Sequence, residues 1–192
     1  MAVRLKDQKK LDSIYNATLE LVKERGLAGI TMSDISSSAC IATGTLYVYF
    51  KNKEELIKAL FLECRQKSAE KYFTGVDEHD AFENRLKKLF TNIVLYKRKY
   101  FEVSVFMEQV YHSPFICSSD LKKKQKALQP LFEILDEGVE TKKIKELDIE
   151  IVISYMFGII HEIVKRSYFS NKKLSAESIE QLYSMFWNGI KN

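Results

Sequence analysis

Apolar residues recur every three or four positions along most of this chain, which is the spacing of amphipathic helices. The first stretch spans about residues 8–25, and Gly26 is placed to end it in a left-handed cap. Two short stretches follow, from residue 31 and over about 43–50, and a longer one covers about 53–73. The pattern predicts four N-terminal helices, with a tight turn between the second and the third.

A polar segment at residues 75–80 interrupts the pattern. Beyond it the apolar spacing predicts five further helices, near 81–97, 100–113, 119–140, 148–169 and 175–190. Pro130 is expected to kink the third of these, because proline removes a backbone donor and clashes with the preceding turn. The 7 Gly and 2 Pro are too few for many β-hairpins. We therefore expect an all-α protein of about nine helices.

The polar break also predicts how the chain divides into domains. We expect a three-helix N-terminal domain over residues 1–53, a linking helix over about 53–73, and a helical C-terminal domain over 74–192. The aromatic content of 12% predicts a bulky interior.

Charge is distributed unevenly between these parts. Residues 1–53 hold 8 Lys and Arg against 5 Asp and Glu, whereas the rest of the chain holds 22 against 21. The net charges of +3 and +1 weakly favour a nucleic-acid partner for the N-terminal part. Two interpretations remain open for the basic start of the chain, an arm that reaches DNA or a solvated tail; its residues are Arg4, Lys6, Lys9 and Lys10.

Several classes of site find no support in the sequence. The three cysteines are scattered without a Cys-x-x-Cys pair, and the three histidines lack metal-ligand spacing. The longest apolar run, residues 149–163, is too short and too polar to span a bilayer, and the polar N-terminus is unlike a signal peptide. We therefore expect a cytoplasmic protein without cofactor, metal, catalytic residues or membrane partner.

The segment from Thr31 to Leu56 reads TMSDISSSACIATGTLYVYFKNKEEL and carries the clearest chemistry. Thr31 with Asp34, and Asn52 with Glu55, have the spacing of helix-capping pairs. The short helix at 43–50 combines small, hydroxyl and tyrosine side chains, which suit a helix that enters the DNA major groove. Lys51 and Lys53 follow it, and the expected inward side chains are Leu46 and Phe50.

These residues resemble the DNA-binding domain of the TetR family of transcriptional regulators. The matching pieces are IYNATLELVKERG at 14–26, TMSDI at 31–35 and ACIATGTLYVYFKNKEEL at 39–56. The resemblance implies an all-helical homodimer that binds a palindromic DNA operator through an N-terminal helix-turn-helix. It also implies a C-terminal domain that dimerises and binds a small-molecule effector, and it implies no catalysis.

The resemblance further implies which residues meet DNA. Positions at the start of the second helix approach phosphates, and they hold Thr31, Met32 and Ser33. Positions on the third helix face the groove, and they hold Thr43, Gly44, Thr45 and Tyr47. Backbone-contacting positions hold Tyr49 and Lys53.

The chain departs from the family pattern at two positions. Cys40 occupies a turn position that is usually Gly, where a positive φ would cost on the order of 1 kcal/mol. Ala42 replaces the usual Ser cap of the third helix, which costs typically ~1 kcal/mol. In an alternative arrangement Thr43 caps the helix and shifts its start by one residue.

The predicted C-terminal helices suggest an effector wall and a self-association face. Aromatic residues and a methionine form either plain core or the wall of an apolar cavity; the residues expected to bind ligand are Phe101, Phe106, Met107, Tyr111, Phe157 and His161. The expected effector is a small aromatic or acyl-chain compound whose polar end meets a tyrosine or His161. Helices 148–169 and 175–190 are apolar on more than one face, which predicts a homodimer through a four-helix bundle.

Together these features predict a ligand-responsive transcriptional regulator, expected to be a repressor. Two alternatives remain open. One is an architectural or protein-interaction DNA-binding protein that senses no ligand, which a fully packed C-terminal core would favour. The other is a helical-bundle enzyme, against which the absence of a catalytic constellation argues.

Overall fold

The computed structural model describes residues 2–116 and 118–192, and describes side chains over 7–116 and 127–192. The described residues form nine α-helices and no strand, which confirms the all-α prediction. The helices are α1 (Ala2–Arg25), α2 (Met32–Ser38), α3 (Thr43–Tyr49), α4 (Lys53–Tyr72), α5 (Phe82–Lys99), α6 (Phe101–Tyr111), α7 (Ser118–Glu140), α8 (Ile149–Phe169) and α9 (Ala176–Ile190). Only α1 begins well before its predicted start.

The helices pack into two compact units. The first contains residues up to 64 together with 102–121, and the second contains 65–101 together with residues from 122 onward. Helix α6 therefore packs with the N-terminal helices, and α4 contributes its first part to one unit and its last part to the other. These units are defined by packing. They do not test the predicted division into a DNA-binding domain, a linking helix and a C-terminal domain, so the boundaries at residues 53 and 74 stay a prediction.

The first unit has its own apolar core, in which α2 packs against both α1 and α3. Every N-terminal helix contributes fully buried side chains; these include Ile14, Val22, Ile35, Leu46 and Leu56. The inward positions predicted for α3 are confirmed, since Leu46 is 0% exposed and Phe50 is 6% exposed. Burial of these side chains fixes which face of α3 remains outside.

In the second unit α5 packs against α8 and α9. The ring of Phe90 lies 5.3 Å from that of Phe186 and 5.4 Å from that of Tyr183. Phe82 packs so tightly on Gly138 that a Cβ there would lie 2.5 Å from its ring, so any larger residue at this helix position would force the ring to shift. Helix α7 continues without a break through Pro130, whose side chain lies at the surface.

Among the helices that the structure describes, we find none with the length and apolarity needed to cross a bilayer.

Candidate nucleic-acid interface

The start of α2 is organised by the predicted capping box. The backbone N–H and the hydroxyl of Thr31 donate to Oδ2 of Asp34, at 2.8 and 2.6 Å, and the N–H of Asp34 donates back to the Thr31 hydroxyl at 3.1 Å. These bonds to Thr31 hold the pKa of the Asp34 carboxyl below its usual value, with a smaller contribution from Arg25. The first turn of α2 is thereby rigid, and its leading N–H groups lack acceptors within the helix.

The three positions expected to approach phosphates differ in exposure. Thr31 and Ser33 lie at the surface, whereas the side chain of Met32 is buried, with 8% of it exposed. A phosphate contact by Met32 is therefore confined to its backbone N–H.

The start of α3 shows which residue caps this helix. Ala42 is the N-cap residue, it makes no side-chain capping bond, and α3 begins at Thr43. The alternative in which Thr43 caps the helix is therefore wrong. The Thr43 hydroxyl instead lies 2.8 Å from that of Ser36, which is buried on α2 and also donates to the Ser33 carbonyl at 3.0 Å. This hydroxyl pair ties α2 to the first residue of α3.

The turn between α2 and α3 passes through the left-handed region, as expected. Cys40 has a φ of +54°, and its side chain is exposed. Without compensating side-chain burial, the backbone strain at this position is unrelieved, on the order of 1 kcal/mol.

The outer face of α3 carries exposed residues that range from glycine to tyrosine. At Gly44 an added Cβ would meet no atom within 4 Å, so packing inside the protein does not require glycine there. Tyr47 is 51% exposed, and Thr45 is partly exposed. Val48 is 83% exposed, the most exposed large apolar side chain of the described residues. Sequence reasoning missed Val48, although its spacing of four from Gly44 places it on the same face.

Tyr49 is held by α1. Its hydroxyl donates to Oδ1 of Asp7 at 2.9 Å, and desolvation, followed by this bond, raises the pKa of Tyr49. The hydroxyl oxygen keeps its capacity to accept, but its hydrogen is engaged. A phosphate contact through that hydrogen requires the bond to Asp7 to open.

Lys53 is engaged inside the first unit. Its ammonium donates to the carbonyls of Leu27 and Ile30, at 2.6 and 2.7 Å, and desolvation lowers its pKa. An ammonium has three N–H donors, so a third is left for a phosphate. Lys53 therefore holds the loop between α1 and α2, and its predicted phosphate contact stays a prediction. In the proposed basic arm Lys9 is exposed, while the side chains of Arg4 and Lys6 lie outside the described residues.

The six residues expected to bind an effector divide between the two units. In the first unit α6 carries fully buried Phe106, partly buried Met107 and Tyr111, which is 47% exposed. In the second unit Phe101 stacks on Tyr168 with ring centres 3.8 Å apart.

The remaining two expected ligand residues lie one turn apart on α8, in the second unit. The ring of Phe157 contacts Tyr72 with centres 6.1 Å apart, and the Lys97 ammonium lies 5.6 Å from its centre. Burial raises the pKa of Tyr72. His161 follows on the same face and is partly buried. This part of the second unit thus combines aromatic side chains with an ammonium and an imidazole, which suits an apolar ligand with one polar group.

Helices α8 and α9 expose apolar residues on a second face. Ile151 is 65%, Tyr155 39% and Met185 68% exposed. Gly189 lies against Tyr155, since a Cβ there would be 3.3 Å from the tyrosine ring. The predicted second apolar face of these helices is confirmed. Among the described residues we find no group of three or more potential metal ligands.

Two family models match this chain. The one described as bacterial regulatory proteins, tetR family, matches residues 14–60, and a tetracyclin repressor-like C-terminal domain matches residues 81–191. The fatty acid metabolism regulator protein of Bacillus subtilis is 28% identical over 192 residues, which cover 95% of this chain and 96% of that protein. The HTH-type transcriptional repressor KstR2 of Mycolicibacterium smegmatis is 24% identical, over 90% of this chain and 85% of the repressor.

The fold has a close counterpart among solved structures. The crystal structure of a TetR family transcription regulator from Marinobacter aquaeolei superimposes with a TM-score of 0.92 at 20% identity, covering 98% of this chain and 99% of that one. At this identity the likeness concerns the fold.

Proposed function

Because the chain belongs to the TetR family of bacterial transcriptional regulators, we propose that it is a ligand-responsive repressor. In this proposal a homodimer binds a palindromic operator and releases it when a small apolar effector binds. Its family and relatives are transcriptional regulators rather than enzymes, which removes the helical-bundle enzyme considered above. Since a repressor works on the chromosome, we expect it in the cytoplasm.

The observation that carries the proposal is the outer face of α3. Buried Leu46 and Phe50 anchor the helix, so Gly44, Tyr47 and Val48 face outward. The absence of a side chain at Gly44 permits close approach to base edges, while tyrosine and hydroxyl groups supply hydrogen bonds. Val48 adds methyl groups that suit contact with a thymine methyl.

Phosphate contacts would position this helix on the duplex. We propose that the exposed N-terminus of α2 contacts one phosphate through its leading N–H groups and the Ser33 hydroxyl, and through the Thr31 hydroxyl once its bond to Asp34 opens. The third N–H of Lys53 is suited to donate to a neighbouring phosphate, and so is the Tyr49 hydroxyl once its bond to Asp7 opens. These contacts carry no sequence information, but they fix the register from which α3 reads bases.

The second apolar face of α8 and α9 supports the homodimer. Exposed Ile151, Tyr155 and Met185 leave apolar area that a second copy of the same two helices would bury. A two-fold dimer presents two copies of α3 to successive major grooves, about 34–36 Å apart. The palindromic operator follows from this symmetry.

The class of effector is proposed from the apolar side chains and from one relative. Residues 54–192 carry 22 basic and 21 acidic side chains, so their net charge would give little electrostatic attraction for a highly charged ligand. The relative in Bacillus subtilis is by name a regulator of fatty acid metabolism. We therefore propose an acyl-chain compound whose chain lies among the aromatic residues and whose polar end meets a tyrosine or His161.

Release would follow from a change in the separation of the two α3 helices. Helix α4 runs through residues of both units, so an effector that moves α4 would move the DNA-reading helices. A few ångströms of misfit removes base contacts and leaves only weak binding that depends on salt.

The proposal is tested on a duplex that the chain itself enriches from a random DNA pool. Palmitic acid, palmitoyl coenzyme A and cholic acid are titrated into the complex, and fluorescence anisotropy reports DNA release. We expect one acyl compound to weaken specific binding at least about tenfold, a coupling of roughly 1.4 kcal/mol. Enrichment of a duplex without release by any compound would favour the architectural alternative, and enrichment of no duplex would contradict DNA recognition itself.

A further inference from the structure

The loop between α1 and α2, residues 26–31, is held by two side chains from distant parts of the first unit. The backbone N–H of Leu27 donates to Oε1 of Gln109, on α6, at 2.7 Å. The carbonyl of the same residue accepts from the Lys53 ammonium at 2.6 Å, and the Ile30 carbonyl accepts at 2.7 Å. Both polar groups of the Leu27 backbone are thus engaged, one by α6 and one by α4.

This loop leads directly into the DNA-reading helices. Thr31 at its end forms the capping box with Asp34 that starts α2. On the far side of α2 the hydroxyl of Ser36 bonds that of Thr43, the first residue of α3. A path of hydrogen bonds, loop backbone and the α2 helix therefore runs from Gln109 to the start of α3, entirely within the first unit.

The bond at Gln109 is suited to sensing the position of α6. At 2.7 Å it is well formed, and a displacement of α6 by about 1 Å would stretch it beyond hydrogen-bonding distance. The Leu27 side chain is 6% exposed, so its N–H would not easily find water instead. Of the two side chains that bond the Leu27 backbone, Lys53 would then remain.

We propose that Gln109 is a positioning residue for DNA recognition, whose amide oxygen sets the α1–α2 loop and through it the placement of α2 and α3. A shift of α6 then reaches the DNA-reading helix through this bond, in addition to any movement of α4. The inference rests on the proposed function, because the specific reading of DNA by α3 is what the position of α6 would regulate. It assigns the regulatory connection to a side chain that contacts neither DNA nor effector.

The test compares three glutamine variants in the full-length chain, without effector. Gln109→Leu removes the acceptor, Gln109→Glu keeps an oxygen acceptor, and Gln129→Leu changes an exposed glutamine of α7 as the matched control. Affinity is measured for the duplex that the wild-type chain enriches and for a scrambled duplex of equal length and salt. Hydrogen exchange is followed for the amides of residues 26–35.

We expect Gln109→Leu to weaken binding to the enriched duplex by roughly 5–30-fold, the factor expected when one such contact is lost. Binding to the scrambled duplex stays within about twofold, because non-specific binding depends on the basic charge of the chain, which this substitution leaves unchanged. Exchange over residues 26–35 accelerates in the same variant. Gln109→Glu retains most of the specific affinity, and Gln129→Leu matches the wild type in every measurement.

Two results would overturn the inference while the proposed function stands. One is wild-type affinity together with unchanged exchange in Gln109→Leu; the other is an equal loss on both duplexes, which indicates general destabilisation. If Gln109→Leu does not fold, hydrogen exchange of the Leu27 amide is measured in the wild-type chain instead. We expect the enriched duplex to slow this exchange more than the scrambled duplex does. Equal exchange with both duplexes would overturn the inference. A wild-type chain that enriches no duplex overturns the proposed function and this inference with it.

Discussion

At the scale of single residues, α3 separates side chains that hold the helix from side chains available to DNA. Leu46 and Phe50 are buried, whereas Tyr47 is half exposed and Thr45 partly so. We expect Tyr47→Ala and Thr45→Ala each to weaken specific DNA binding by roughly 1–3 kcal/mol, because each removes contacts to base edges. Anisotropy titrations against enriched and scrambled duplexes check this, with thermal unfolding as the control. Unchanged affinity in folded variants would contradict the contact assignment.

The turn before α3 contains two residues that local geometry disfavours. Cys40 adopts a φ of +54°, and Ala42 caps α3 without a side-chain bond. We expect Cys40→Gly to stabilise the fold by roughly 0.5–1 kcal/mol and Ala42→Ser by ~1 kcal/mol. Chemical denaturation measures both changes, and Ser38→Gly, at an exposed helical residue nearby, should destabilise instead. Lower stability in both turn variants would show that the turn is not strained as described.

Residue spacing predicts some of these details and leaves others undetermined. The capping box of Thr31 and Asp34 follows from a spacing of three and is present. The exposure of Val48 could also have been predicted, since it lies four residues from Gly44. By contrast, the hydroxyl pair of Ser36 and Thr43 depends on how two helices meet across a turn, which residue spacing alone does not determine.

At the scale of helices and loops, Lys53 joins α4 to the loop between α1 and α2. Lys53→Met removes two charge-assisted hydrogen bonds, to Leu27 and Ile30, and should lower the free energy of unfolding by about 1–3 kcal/mol. It should also weaken binding to every DNA sequence and reduce the salt dependence by about one unit if its third N–H meets a phosphate. Lys51→Met, at an exposed lysine nearby, is the control for charge removal.

These two effects of Lys53 are separable. Loss of stability with an unchanged salt slope would retain its structural role and remove it from the phosphate contacts. A stable variant with wild-type DNA binding would contradict both roles.

Element positions were largely predictable because helices bury apolar residues at local spacings. All nine predicted helices occur among the described residues. The placement of α6 in the first unit was not predictable in this way, because its bond from Gln109 to Leu27 joins residues 82 positions apart. Periodicity identifies the buried face of a helix and leaves its partner undetermined.

At the scale of the whole molecule, the proposed dimer depends on the exposed apolar face of α8 and α9. Ile151→Glu and Met185→Glu each place a charge where a second copy would bury an apolar side chain. We expect both variants to sediment as monomers at micromolar concentration and to lose specific DNA affinity, because one α3 reads only half an operator. Leu95→Glu changes an equally apolar, 41% exposed residue of α5 and should remain dimeric. A wild-type chain that sediments as a monomer would contradict the proposed assembly.

Sequence-specific reading of DNA by α3 is the central claim, and selection from a random duplex pool followed by sequencing tests it most directly. The wild-type chain is expected to enrich an inverted repeat whose half-sites are centred about one helical turn apart. Tyr47→Ala, with its fold intact, is expected to lose or relax preference at defined positions of that repeat. The account would be contradicted if the wild-type chain enriched no repeat. It would also be contradicted if the wild-type chain, Tyr47→Ala and a Thr45→Ala, Val48→Ala double variant all enriched the same repeat.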